Sequence, residues 1–381
     1  MGYCLIAIIG YTILYEIIKG RVRSFQRHLR IKKLKRLSVG EIVQYIDDLI
    51  AIEITRQNIV GISVGILKNN EIILSKCYGF ADLDNSIPAT DQTVFKIASV
   101  SKHMVAVCIL SLAEQKKLQV TDNLLRYFPD APGSWKDITI HHLLNLSSGL
   151  RRESPIFKWT ERQPLDDLVK SIYSYKPAFA PGSQWQYNNM SYFILAAIIE
   201  KVTNLSFENY TDHFFNNIGL KNTYTTSSGS NPLQATGYQF IKSQKSYRTM
   251  NFVALRPSGA FVSSVSDMLK WDRMLFDGNI LNHESRKLLL DNSIKIGRFK
   301  AWNQSLFEQI KVDDPRYGYG LAIAHHKGKT ILTHGGNTPG FSSRYLKLIE
   351  NNCSIIILSN TYRKNMSKIA GKIHEAIEFI N

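Results

Sequence analysis

An α+β fold, with an antiparallel sheet flanked by helices from both chain ends and interrupted by an inserted, mainly helical lobe, is predicted by three observations. Residues 41–57 carry apolar side chains at helical spacing, through Ile42, Tyr45, Ile46, Leu49, Ile50 and Ile54, and two β-rich runs follow at once. The stretch from Asp122 to Tyr247 then reads as helices and loops. Strand-like runs return near the end, and a last helical pattern closes the chain. Helix, strands, helical insert, strands and helix in that order do not alternate as a parallel α/β fold would.

Each element has its own signal. Ile59–Leu67 and Glu71–Phe80 are β-branched runs joined by Lys68-Asn69-Asn70, a hairpin turn. A helix is expected from about Val100 to Lys117, led in by Thr93–Ser99, and apolar helices at Leu165–Tyr173 and Met190–Val202. Later strands are expected at Tyr319–His325, Thr330–His334, Ser342–Ile349 and Cys353–Ser359, and the closing helix at Lys364–Ile380. These set the expected organisation: an N-terminal segment over 1–37 and one catalytic domain over 38–381. Its sheet lobe spans about 38–98 and 249–381, its helical lobe about 99–248.

The chain has 381 residues, 44% hydrophobic and 20% charged, enough to bury a sizeable core. Its net charge of +16 is unevenly spread: residues 1–40 hold nine basic side chains against the single acid Glu16. That segment follows an apolar run, Tyr3–Ile18, shorter than the ~20 residues a spanning helix prefers. It also lacks a cleavable leader's order of charges. An apolar anchor followed by a basic, membrane-surface segment is the preferred reading; the competing one is a helix packed on the catalytic domain. The side of the membrane stays open. No zinc finger, RNA-recognition signature or basic zipper is present, which argues against nucleic acid. The cysteines, Cys4, Cys77, Cys108 and Cys353, form no C-x-x-C pair, and the last three sit in apolar runs that suit buried thiols.

The chemistry concentrates in three places. Ser99-Val100-Ser101-Lys102 is the first, and no other serine has a lysine three residues on. That spacing is close to one helical turn, so hydroxyl and amine share a face. A serine needs a neighbouring base to become nucleophilic, and a lysine serves if burial or a charged neighbour lowers its pKa. The second is Tyr187-Asn188-Asn189, where Tyr187 alone among 18 tyrosines has an asparagine two positions on. Beside a lysine cation a phenol would favour its phenolate and move protons, and Asn189 could hold that lysine or a substrate carbonyl while capping the helix after it. The third is His334-Gly335-Gly336 at a strand end, where small residues let a substrate lie along the strand edge. His326-Lys327-Gly328 has the same spacing but reads as a solvated hairpin turn. Ser63, within Gly61-Ile62-Ser63-Val64-Gly65, lies inside a strand pattern rather than at a strand-to-helix elbow. The pairs His141-His142 and His325-His326 lack metal-ligand spacing, and neither metal nor cofactor is expected.

Together these motifs make the chain resemble the serine β-lactamase-like hydrolases of the class C type, which include D-alanyl-D-alanine carboxypeptidases and esterases. The resemblance runs over about 40–381 and is reinforced by Ile138–Leu150, Pro257-Ser258-Gly259-Ala260, Tyr317-Gly318-Tyr319-Gly320 and His334–Ser343. It implies a β-lactamase/transpeptidase-like fold and acylation of Ser99, with Lys102 and Tyr187 moving its proton. It implies that Asn189, His334, Gly336 and Asn337 meet the substrate, and that the backbone N–H groups of Ser99 and Asn337 form the oxyanion hole. His334 stands where class C β-lactamases carry lysine, which puts efficient β-lactam hydrolysis in doubt and favours peptidase or esterase chemistry. The rival reading is a membrane-tethered sensor, binding or scaffold protein of the same fold with little turnover.

Overall fold

The structure, a computed structural model, describes residues 36–226, 231–242, 246–249, 256–297 and 310–378, with Leu34 and Phe307 besides. The apolar run Tyr3–Ile18 and nearly all of the basic segment lie outside the described residues. Among those described, no single helix is long and apolar enough to cross a membrane; one bent helix pair, Met190–Thr203 with Phe207–Asn217, passes by length and composition alone.

The chain divides into two units, 1–52 with 372–381, and 53–371. The first contains the start of helix α1 (Val39–Gln57) and the end of the closing helix. Its helix start is set locally: the Ser38 backbone N–H donates to the Glu41 carboxylate at 2.7 Å and the Glu41 N–H to the Ser38 hydroxyl at 3.3 Å, a capping box. Ile42, Ile46, Leu49 and Ile50 form the buried stripe of α1, as the periodicity predicts.

The second unit carries a nine-stranded antiparallel sheet, in the order β3-β2-β1-β14-β13-β12-β11-β10-β9. The first strands are β1 (Gly61–Lys68), β2 (Glu71–Asp82) and β3 (Ile87–Pro88). The last are β9 (Ile294–Lys295), β10 (Asp313–Tyr317), β11 (Ala322–His326), β12 (Lys329–Thr338), β13 (Phe341–Leu348) and β14 (Cys353–Ser359). Thus β1 pairs with β14 and joins the two ends of the unit, Ile62 opposite Ser359. Between them come β4 (Phe95–Lys96), helix α2 (Ser101–Glu114), α3 (Ile140–Leu144), α4 (Leu165–Lys170), α5 (Met190–Thr203) and α6 (Phe207–Asn217). There follow β5 (Tyr224–Thr225), the hairpin β6 (Tyr238–Ile241) and β7 (Ser246–Thr249), β8 (Phe261–Ser263), α7 (Val265–Asp277) and α8 (His283–Asp291). The closing helix is α9 (Met366–Ile377). A second small sheet, β4-β8-β5, ties the segment before α2 to the segment before α7.

The expected α+β class and helical insert are therefore present. The helices α7 and α8 and the hairpin β6–β7 lie where no element was predicted. Ser63 sits fully buried within β1, its hydroxyl on the Cys77 sulfur at 3.1 Å, so the G-x-S-x-G match is a strand and not an elbow. Lys327 and Gly328 adopt positive φ in the tight β11–β12 hairpin, as read from their composition. Cys108 and Cys353 are buried free thiols and Cys77 is half-buried.

Helix α5 explains why the lobe is rigid around the site. Every residue from Met190 to Ile199 is buried, including Tyr192, Phe193, Ile194 and Leu195. At roughly 1.5–3 kcal/mol for each large apolar side chain taken from water, this helix anchors whatever precedes it. What precedes it is Tyr187-Asn188-Asn189.

Candidate active site

Ser99 lies in a short 3-10 turn, Ala98–Val100, that runs into α2. Ala98 holds φ at +48°, a left-handed conformation uncommon outside glycine. The turn is fixed from both sides. The Ile97 N–H donates to the Phe261 carbonyl at 3.0 Å, and the Ser343 hydroxyl to the Ile97 carbonyl at 2.6 Å. Two glycines permit the approach. A Cβ on Gly336 would lie 2.4 Å from the Ile97 oxygen, and one on Gly259 3.1 Å from the Ala98 carbonyl carbon. Strain of this sort persists only where the surroundings over-determine it, and here they present Ser99 at the mouth of a cavity.

Lys102 follows one turn later and is fully buried. Its Nζ is 3.3 Å from Ser99 Oγ, 3.1 Å from Asn189 Oδ1 and 2.9 Å from the Ser258 carbonyl oxygen. It lies over the rings of Tyr187 and Tyr192 at 4.7 and 5.2 Å. Burial, then the positive Arg256, hold this amine well below the ordinary lysine value of 10.5; Glu153 acts in the opposite direction and Arg152 in the same. The Tyr187 hydroxyl donates to Ser99 Oγ at 2.8 Å. Burial pushes this phenol up to about 12, outweighing the hydrogen bond with Ser99 and the nearby arginines. This runs against the expectation of a favoured phenolate: desolvation lowers the pKa of the neighbouring amine and raises that of the phenol together.

The Tyr187-Asn188-Asn189 segment departs from expectation in a second way. Asn189 stands at the N-cap of α5 as expected, but the side-chain cap bond comes from Asn188, whose Oδ1 accepts from the Ser191 N–H at 2.8 Å. Asn189 makes no side-chain cap bond, and its amide is committed elsewhere. Oδ1 accepts from Lys102, and Nδ2 donates to Glu153 Oε2 at 2.9 Å. The same Glu153 oxygen pairs with Arg256.

On β12 the expected substrate contacts divide by strand parity. Gly335 and Asn337 line the cavity beside Ser99. His334 is buried, with Nδ1 on the Gly335 carbonyl at 2.7 Å and Nε2 facing the Tyr317 hydroxyl at 3.0 Å. Burial, then the charge on Lys102, push its pKa well below 6.5, so it is neutral. Its ring stands 6.4 Å from that of Tyr187, and it is not among the residues that line the cavity. Gly336 permits the close passage of the strand past Ile97. The structure therefore brings together Ser99, Lys102, Tyr187, Asn189 and Asn337, and leaves His334 and Gly336 one layer back.

The cavity has a volume of about 380 Å³; Ser99, Tyr187, Asn189, Gly335 and Asn337 line it together with Arg152, Arg256, Arg344 and Lys364. No acidic side chain is among the described residues that line it. Sequence reasoning did not single out these four cations, or Glu153. For three of them the signal was position: Arg152 and Glu153 come two and three residues after the Ile138–Leu150 stretch, and Arg256 directly precedes Pro257. Among the described residues no cluster of three metal-ligating side chains occurs; His141 is engaged by Tyr319 at 2.8 Å and Asn145 at 3.1 Å.

A sequence profile of the beta-lactamase family matches residues 42–377. The chain belongs to the beta-lactamase family of serine hydrolases. Among curated proteins, Protein flp of Staphylococcus aureus (strain MW2) is 26% identical over 344 residues, 88% of this chain and 66% of the relative. Penicillin-binding protein 4* of Bacillus subtilis (strain 168) is 25% identical over 322 residues, 77% of this chain and 66% of the relative. The chain thus spans just under two thirds of the length of these curated relatives. Solved structures agree on the fold. An octameric penicillin-binding protein homologue from Pyrococcus abyssi superposes with a TM-score of 0.77 at 22% identity, covering 90% of this chain and 78% of its own. The D-amino acid amidase from Ochrobactrum anthropi SV3, complexed with D-phenylalanine, gives 0.74 at 21% identity, covering 89% and 99%.

Proposed function

We propose that this protein cleaves an amide, peptide or ester bond through an acyl-enzyme on Ser99, with Lys102 as the base. One observation carries the reading. Three oxygens surround the Lys102 nitrogen, those of Asn189, the Ser258 carbonyl and Ser99; the first two can only accept, so once the amine gives up a proton its remaining N–H bonds go to them and its lone pair is left toward the Ser99 hydroxyl. Ser99 passes its proton to that amine as Oγ attacks the acyl carbon. Tyr187, whose hydroxyl already points at Ser99, relays the proton onward to the leaving group and takes a compensating proton from Lys102. The backbone N–H groups of Ser99 and Asn337 hold the developing oxyanion.

The cationic lining favours an anionic substrate, and among the classes considered a D-amino-acid peptide with its terminal carboxylate fits better than a neutral ester. The amidase neighbour, solved with D-phenylalanine, points the same way. With a buried neutral His334 in place of a lysine, efficient β-lactam turnover is not expected. The test is a fluorophosphonate label followed by mass spectrometry, then a p-nitrophenyl ester and D-peptide assay. The adduct is expected on the Ser99 peptide, and turnover is expected to follow. Labelling without turnover would favour the sensor reading, and an adduct elsewhere would remove Ser99 from the mechanism. Because the reactive form is the unprotonated amine, labelling should rise as Lys102 loses its proton and level off well below pH 10.5. A rate that climbs through the ordinary lysine range would contradict the role of Lys102.

The basic N-terminal segment is read as a membrane-surface element. The full chain is expected to float with anionic vesicles at low salt, and to float less when Lys32, Lys33, Lys35 and Arg36 are replaced by Gln. Equal flotation of both would remove the assignment.

A further inference from the structure

Asn189 presents a problem that its own backbone does not solve. An amide has an accepting end and a donating end, and only one orientation suits Lys102. With Oδ1 toward Nζ, the amine has its acceptor; turned over, an NH₂ group would face the lysine N–H bonds, and the lone pair would no longer be directed at Ser99. Capping does not fix the orientation, because the side-chain cap bond of α5 comes from Asn188. What stands at the other end of the amide is Glu153 Oε2, an acceptor, 2.9 Å from Nδ2.

We propose that the Glu153–Arg256 pair is the positioning element of this active site: the carboxylate dictates which way the Asn189 amide faces and so aims the Lys102 nitrogen at Ser99, and the guanidinium holds the carboxylate in place. This rests on Lys102 being the base for Ser99. The pair is built for the task. Both anchors of the carboxylate meet at the single oxygen Oε2, from Asn189 and from Arg256. Arg256 is braced on aromatic faces, its guanidinium 4.5 Å from the Trp159 ring centre and 5.7 Å from that of Phe157. The backbone couples the two partners as well, since the Asn189 N–H donates to the Arg152 carbonyl at 2.8 Å. Glu153 and Asn189 therefore move together.

The pair also acts on the charge of Lys102, with opposite signs. The groups facing that amine are Arg256, Glu153 and Arg152, the Tyr187 and Tyr192 rings, and the buried His334. Arg256 disfavours the ammonium and Glu153 favours it. Removing the carboxylate should move the acid limb of the rate profile to lower pH, and removing the guanidinium should move it to higher pH. A residue that merely supported the fold would move neither in this paired way.

The experiment measures the pH dependence of fluorophosphonate adduct formation at Ser99 in the full chain. Glu153→Leu, which removes the acceptor and the charge, is expected to lower the plateau about tenfold through a misaimed base. Glu153→Gln, which keeps an acceptor, is expected to regain most of that plateau while its acid limb moves to lower pH. Arg256→Gln is expected to move the limb to higher pH. The proposal fails if Gln at 153 is as slow as Leu, if the limbs of Glu153→Gln and Arg256→Gln move in the same direction, or if neither moves. Should either Glu153 variant fail to fold, as a thermal scan would show, the direction of the Arg256→Gln limb decides. A wild-type chain that takes no adduct at Ser99 identifies a different failure, that of the nucleophile assignment, and the inference falls with it.

Discussion

Lys102→Arg is expected to slow adduct formation at Ser99 by about 10²–10⁴-fold at neutral pH, the range associated with a positioned proton acceptor. Arginine keeps the positive charge but does not give up a proton in proteins, so it separates a basic role from an electrostatic one. Lys102→Met is expected to fall in the same range for the complementary reason: it fills the buried volume with no base. It also leaves the Asn189 and Ser258 oxygens without their donor, a cost offset by removing an amine whose charged form burial already disfavours. The thermal transition of Lys102→Met should therefore change far less than its labelling rate. Rates are read by stopped-time labelling and intact mass, stability by a thermal scan. An arginine variant within threefold of wild type would mean that Lys102 acts as a cation and that another group takes the serine proton.

The parts of this site that were legible in the sequence are those whose geometry is local. Ser99 and Lys102 share a helix face because of their spacing alone, whatever the rest of the chain does. The region around Tyr187 could be placed only by resemblance, since a loop 88 positions away leaves no periodic trace of where it lands. Glu153 and Arg256 left less still. An ion pair spanning 103 positions has no spacing rule, and arginines are common in a chain this basic. The burial of His334 is of another kind. Strand parity separates His334 and Gly336 from Gly335 and Asn337, but the starting phase depends on which face meets the cavity, and that is a tertiary fact.

That the side-chain cap bond of α5 comes from Asn188 rather than the expected Asn189 was similarly out of reach of the sequence. Both are good capping residues, and a shift of one position costs the helix little. What decides is the buried amine: with Lys102 needing an acceptor, the Asn189 amide is worth more there than on a helix terminus. The functional site thus overrides the local preference, and the neighbouring asparagine meets the helix requirement instead.

Helix α7 shows the opposite case, a local pattern obscured by a buried charge. Its end signals were present: the Ser264 side chain accepts from the Asp267 N–H at 3.2 Å, and Gly278 ends the helix with φ at +90°. The buried face, however, carries Asp272 among Met268, Leu269, Trp271 and Leu275, which interrupts the apolar stripe that periodicity seeks. That aspartate is fully buried because the sheet supplies three donors. Lys347 Nζ lies 2.9 Å away and the Ser354 hydroxyl 2.7 Å, and the Tyr345 hydroxyl donates to the other carboxylate oxygen.

Asp272→Ala is expected to destabilise the protein by about 3–5 kcal/mol, because it removes one partner of a buried ion pair and leaves the other uncompensated. The Lys347 side chain is only 3% exposed and Asp272 not at all, so water cannot take over the solvation of the ammonium without local opening. The phenol of Tyr345 and the hydroxyl of Ser354 lose their acceptor in the same step, which adds to the loss. Taking away both charges should behave differently. Asp272→Leu combined with Lys347→Met leaves no buried ion to solvate, and the double variant is expected to be more stable than Asp272→Ala despite carrying two changes. Urea unfolding with the slope compared between variants measures both. A loss below about 1 kcal/mol for Asp272→Ala, or a double variant less stable than the single, would show that the sheet and α7 are held together by their apolar contacts alone and that the buried pair contributes nothing the core does not already supply.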